Sequence, residues 1–203
     1  AAAVILPRAW VLEGIPDAFA DLNDSKQLTE AQRDRFFAGL TGDPAVRYAI
    51  AAVEPSVIDE INILQATHRA MNQALADLGD DVDHALVDGR PVRSLRWPQT
   101  ALVKGDSLSY SIAAASVLAK VTVVMTVFLI GLGSVVFYGA EASNPDTLGG
   151  LSRPNAAIAA VFTAIMPRTA GFNAIDIAAM MPESLVLTNI FMFIGGGSAG
   201  TAG

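Results

Sequence analysis

Ala119-Lys120-Val121-Thr122-Val123-Val124-Met125-Thr126-Val127-Phe128 is where the character of the chain changes. Lys120 is the last lysine, and from Val121 to Ala140 twenty residues follow without a formal charge. Residues 1–122 carry 11 Lys or Arg and 16 Asp or Glu, whereas residues 123–203 carry two and four. The net charge of −7 is therefore mostly on the first part. Two unlike pieces meet near Thr122: a soluble α/β piece over 1–122 and an apolar helical piece over 123–203. An acidic balance gives no general attraction to nucleic acid, so such binding needs a local basic patch. With no cysteine, disulfides and thiolate metal sites are excluded, and a metal would be held by carboxylate, His or backbone oxygen.

Working back from the junction, Ser107 to Lys120 is rich in small residues and reads as a closely packed helix. Thr100 to Val103 and His84 to Val87 read as strands, the latter running into the Asp88-Gly89 turn signal. Pro55 suits the first turn of a helix whose Ile61, Leu64, Met71, Leu75 and Leu78 form one apolar stripe. Tyr48 to Val53 is a further strand. Thr29 and Gln32 have capping-box spacing and open a helix to about Leu40. Residues 8–28 are turn-rich, and Ala1 to Leu6 is an apolar run stopped by Pro7, as a strand would be. Opening on Ala1 in mid-strand, the chain is expected to lack its natural N-terminus. Strands alternating with helices predict an α/β layer with a partly parallel sheet.

Four strings stand in order along this piece: Leu22-Asn23-Asp24-Ser25-Lys26; Ile61-Asn62-Ile63-Leu64-Gln65-Ala66-Thr67; Leu86-Val87-Asp88-Gly89; and Val103-Lys104-Gly105-Asp106, followed by Ser111-Ile112-Ala113-Ala114-Ala115-Ser116 and Ala119-Lys120-Val121-Thr122. Together they resemble ribonuclease HII, the type 2 ribonuclease H. The resemblance implies a ribonuclease H-like fold, incomplete here, and hydrolysis of RNA in RNA–DNA hybrids with Mg²⁺ or Mn²⁺ held by four carboxylates. It makes Asp88 the catalytic metal ligand and Asn23, Ser25, Lys26 and Lys104 candidate substrate contacts. The family's Asp-Glu-Ala-Gly-Arg-Gly string, with its first two carboxylates, would precede Ala1, and Val124 stands where a fourth is expected. Three of four carboxylates are then missing, and the piece, truncated at both ends, is expected to be inactive. Without the resemblance, Asp88 reads as a turn residue, Lys104 and Lys120 as solvated lysines, and Asp80, Asp81 and Asp83 as a solvated loop. His68 and His84 lack ligand-like spacing and read as structural.

In the second piece, Val121–Ala140 is long enough to cross a bilayer. Glu141 to Arg153 is a polar loop. Pro154 to Pro167 is uncharged but too short to span, as a re-entrant half-helix would be. Ser184 to Ile194 is a third apolar run, which the glycines from Gly195 onward are expected to break. Half-helix, Arg168-Thr169-Ala170-Gly171-Phe172-Asn173, then a helix running into Gly195-Gly196-Gly197-Ser198-Ala199-Gly200 is similar to the last repeat of Trk/Ktr potassium uptake subunits. That resemblance implies K⁺ as transported ion, Thr169, Ala170, Gly171, Phe172 and Asn173 as one quarter of a filter, and Gly195, Gly196, Gly197, Ser198 and Gly200 as a gating loop. Its partners would be a lipid bilayer and the missing pore repeats. The first piece is thus expected in the cytoplasm and the second in a membrane. Three functions compete: a nuclease, a transporter fragment, and a fused or mispredicted gene product with no working site.

Overall fold

The computed structural model describes residues 1–166 and 174–196, which fall into two compact units, Ala1–Thr122 and Val123–Gly203. In the first unit β1 (Ala2–Ile5) pairs antiparallel with β2 (Arg47–Ile50), so that Ala3 faces Ala49 and Ile5 faces Arg47. β3 (Ala85–Asp88) pairs parallel with β4 (Gln99–Leu102), Asp88 lying beside Leu102. These are separate two-stranded sheets: the parallel pairing expected of an α/β layer is present, but the antiparallel and parallel pairs do not share one sheet. Pairing is non-local, and the strand segments do not encode which edges meet.

The helices follow local signals more closely. A five-residue helix α1 (Arg8–Leu12) occupies part of the stretch read as turn-rich. In α2 (Glu30–Gly42) the Thr29 hydroxyl accepts from Gln32 N–H at 3.3 Å, and Gln32 Oε1 accepts from Thr29 N–H at 2.9 Å. This is the capping box expected from the sequence. α3 (Pro55–Asp77) starts on Pro55 but is broken at Asn62, whose backbone sits at φ 68°, ψ 163°. Asn62 Oδ1 then accepts from Leu64 and Gln65 N–H and restarts the helix as its cap. The break turns the helix: Ala66, Ala70 and Ala74 are buried, while Leu64, assigned to the apolar stripe, is 59% exposed.

The main core packs Phe19, Phe36, Leu40 and Val46 against Ala113, Ala114, Val117 and Leu118. The last four lie on α4 (Tyr110–Glu141), one continuous 32-residue helix where the sequence suggested two. No Gly or Pro interrupts 110–130, so nothing ends the helix at Thr122.

The second unit comprises the rest of α4, α5 (Arg153–Ile165) and α6 (Pro182–Gly196). Gly195 and Gly196 are the last residues of α6, not a break after Ile194. The proposed filter residues Thr169 to Asn173 and the loop residues Gly197, Ser198 and Gly200 lie outside the described residues. Glu141 is fully buried at the end of α4. Its carboxylate accepts from Asn144 Nδ2 (2.8 Å), Thr147 Oγ1 (2.6 Å) and Met181 N–H (2.8 Å). The buried Ser184 hydroxyl faces the same carboxylate without reaching hydrogen-bond geometry. One anion thus ties the end of α4, the following loop and the start of α6.

Candidate active site at the end of β3

Asp88 ends β3, and its side chain is exposed. It does more than make a turn: Oδ1 accepts the Gly105 N–H at 2.9 Å. Gly105 sits closely packed: a Cβ there would lie 2.6 Å from Ile112 Cδ1 and 3.2 Å from Leu102 Cβ, so Ile112 would have to shift to admit one. Lys104 takes a left-handed conformation (φ 58°, ψ 41°), which turns the chain from β4 into the Gly105–Ser107 helical turn. Its side chain is exposed.

Facing this turn is the 23–26 loop. Asp24 Oδ1 accepts from Lys26 N–H at 2.9 Å, and Asn23 Oδ1 from Asp24 N–H at 2.7 Å. The bond from Lys26 N–H, with the Lys26 charge, holds the Asp24 carboxyl below the usual carboxylate range. Asp106 moves the other way: burial, then the charges of Asp24 and Asp88, push its carboxyl up. Asp106 therefore feels the negative charges of both Asp24 and Asp88, with Lys26 nearby. Reading the sequence had singled out only Asp88 of the three. The Leu22–Lys26 and Val103–Asp106 strings did carry the other two, but nothing in either string says that the loops meet.

Asn23 lines a cavity of about 470 Å³ with Asp21, Asp106 and Tyr110. Ser25, in contrast, is buried and its hydroxyl meets Ser116 Oγ at 2.8 Å, fixing the loop to α4. The histidines stand apart from the site: His68 Nδ1 meets Ser94 Oγ at 3.1 Å and His84 Nε2 meets Thr100 Oγ1 at 2.9 Å. Asp81 is not merely solvated, because it pairs with Arg47 at 2.8 Å.

A second cavity, of about 560 Å³, separates β1 from β3 and is backed by residues of α3 and α4, including Met71, Leu75 and Ile112. Ala1 and Ala51 exchange both main-chain bonds. By antiparallel alternation the N–H and C=O of Ala2 and Val4 then point away from β2. Asp88 sits at the end of the opposite wall.

Residues 18–131 match the family Ribonuclease HII. The chain belongs to the ribonuclease HII family. A ribonuclease HII from Ruminiclostridium cellulolyticum is 46% identical over 122 residues, which is 60% of this chain and 45% of the relative. Those of Bacillus mycoides and Bacillus cytotoxicus are 44% and 46% identical over 121 residues, again 60% of this chain and 44% and 43% of theirs. The chain thus spans less than half the length of the curated ribonuclease HII proteins it matches. The match continues along α4 past Thr122, so the family boundary and the boundary between compact units do not coincide.

The family implies a divalent metal, Mg²⁺ or Mn²⁺. Carboxylates are the right donors for such hard cations. Among the described residues, however, no group of three or more His, Asp or Glu side chains converges as a metal site. Asp88 is a single carboxylate, and a two-ion site needs several converging ligands.

Proposed function

We propose that this chain carries part of a ribonuclease H-type endonuclease acting on RNA in RNA–DNA hybrids, with Asp88 as a metal ligand. One observation carries the reading: an exposed carboxylate at the C-terminal end of a parallel strand, accepting the Gly105 N–H. The C-terminal ends of parallel strands are where α/β sheets place their ligands. Lys26 and Lys104 lie on the two loops beside it and suit phosphate contact, with Asn23 at the cavity rim. Ser25 serves by holding its loop. Since the described residues assemble no complete metal site, the chain alone is expected to bind a hybrid without cutting it.

The test is a labelled hybrid duplex with Mg²⁺ or Mn²⁺, assayed for both binding and cleavage. Binding without cleavage is expected. Metal-dependent cleavage lost in Asp88→Asn would uphold the nuclease and refute the incomplete site. No preference for the hybrid over duplex DNA would remove the nuclease reading.

A second reading concerns residues 123–203 alone, as a membrane-embedded piece of a potassium uptake subunit. It is favoured by an inverted surface: Val127 is 66% and Val135 72% exposed, as are Phe162 and Val186 on the other two helices, while Glu141, Asn144, Thr163 and Thr188 are buried. α4 is long and apolar enough to cross a membrane. Flotation of the full chain with phosphatidylcholine vesicles is expected; recovery in the aqueous fraction without detergent would sink it.

A further inference from the structure

The ten residues between β3 and β4, Gly89-Arg90-Pro91-Val92-Arg93-Ser94-Leu95-Arg96-Trp97-Pro98, hold three arginines and no acid. They lie in a unit where acids outnumber bases by 16 to 11. The strands they join are parallel, so the segment must return along their whole length. Gly89 N–H bonds to Leu102 at one end, and Ala85 N–H bonds to Pro98 at the other. A crossover this short leaves no room for the usual helix.

The segment is instead pinned from below. Gln99 accepts from Val92 N–H and donates to Val92 C=O, both at 2.8 Å. Asn72 donates to Ser94 C=O at 3.1 Å and accepts from Arg96 N–H at 3.0 Å. Val92 is buried, and Leu95 and Trp97 pack beside it against the sheet and Met71 and Leu75. The arginines fall between these anchors, at every third residue, and all three are exposed. Among the described residues the one ion pair is Arg47–Asp81, which involves none of them. A solvated loop has no need of so many fixed points. Held main chain with unpaired guanidinium groups is what a phosphate-binding edge requires, because the planar fork meets phosphate oxygens two at a time.

We infer that Arg90, Arg93 and Arg96 form a rail that binds the sugar–phosphate backbone of a nucleic acid leading to Asp88. This deepens the nuclease reading and rests on it for the identity of the nucleic acid. Each phosphate neutralised contributes about 0.9 to the slope of log affinity against log salt, or about 3.5-fold over a fourfold change in salt.

Binding of the full chain to a labelled hybrid duplex, and to duplex DNA of the same length, would be followed by anisotropy between 50 and 200 mM salt. The variant R90Q/R93Q/R96Q is expected to lose about 40-fold of that salt dependence, on both duplexes. R8Q/R35Q/R69Q removes the same charge from exposed positions elsewhere and is expected to keep the slope. An equal loss in the two triple variants would mean a general charge effect and overturn the rail. So would a slope unchanged by R90Q/R93Q/R96Q, or a wild-type chain that binds neither duplex. The cleavage result with Asp88→Asn and the hybrid-over-DNA preference are read separately. The rail can therefore stand where hybrid specificity fails, and fail where specificity stands.

Discussion

The two units differ in what they bury beside their apolar residues. In the first, the fully buried large residues are apolar, Phe36, Leu40, Val117 and Leu118, and its charge lies outside. In the second, Glu141, Thr163 and Ser184 are as deeply buried as Phe137, while valines, isoleucines and phenylalanines cover the outside. The first unit is thus held by removing apolar area from water. The second has apolar clusters of its own, around Phe137 and Phe191 and around Leu148 and Ala160, and adds a buried polar network, where each donor must find its acceptor because an unmet one is costly. The two kinds of core should fail differently when cut.

The largest effect is expected from Phe36→Ala. Phe36 is fully buried beside Phe19, with ring centroids 6.1 Å apart, and Arg35 lies 4.8 Å over its ring. Truncation should cost about 3–5 kcal/mol. Both tryptophans, Trp10 and Trp97, belong to the first unit. Denaturant unfolding followed by their fluorescence should shift accordingly, while the helical signal of the second unit is retained. A fluorescence midpoint that does not move would show that this core does not hold the unit.

Glu141→Gln tests the other half of the comparison. The side chain keeps its size but turns one acceptor into a donor amid Asn144, Thr147 and Met181 donors. A cost of about 3 kcal/mol is expected, from unmet buried donors and a lost charge-assisted bond. Far-UV circular dichroism should report it, with the tryptophan transition unmoved. Were Phe36→Ala and Glu141→Gln to shift both signals together, the two units would be one cooperative body and the contrast between them would fall.

What could be read in the sequence was whatever is local. Thr29 and Gln32 announced a cap, Pro55 a helix start, and the loss of charge after Lys120 a second, apolar unit. Non-local facts stayed hidden. Nothing in Ala2–Ile5 or Ala85–Asp88 says that their edges face a cavity and not each other. The Asn62 break was written in a residue that tolerates positive φ, yet the apolar spacing of Ile61 and Leu64 argued for an unbroken stripe. At the candidate site Asp88 was legible through the resemblance of Leu86-Val87-Asp88-Gly89, its turn alone giving a bland reading, whereas Asp24 and Asp106 come near only through folding. Ser25 was named as a substrate contact by the resemblance, and nothing in its string says that Ser116 meets it and that it is buried.

The smallest expected effect belongs to the surface. Asp81 and Arg47 make the ion pair of the first unit, with both side chains substantially exposed. The hydrogen bond from Arg47, aided by its charge, holds the Asp81 carboxyl below its ordinary value. A carboxyl whose folded pKa is depressed favours folding in its charged form. The contribution is therefore present above the unfolded value near pH ~4 and lost as pH falls through the lower folded value. Comparing wild type with Arg47→Gln across pH should show a slight advantage for wild type at neutral pH that closes on acidification and shrinks in high salt. An advantage that survives at acid pH would mean that Arg47 acts through its aliphatic stem and not its charge. The first unit's surface would then be stabilised by packing, as its core is.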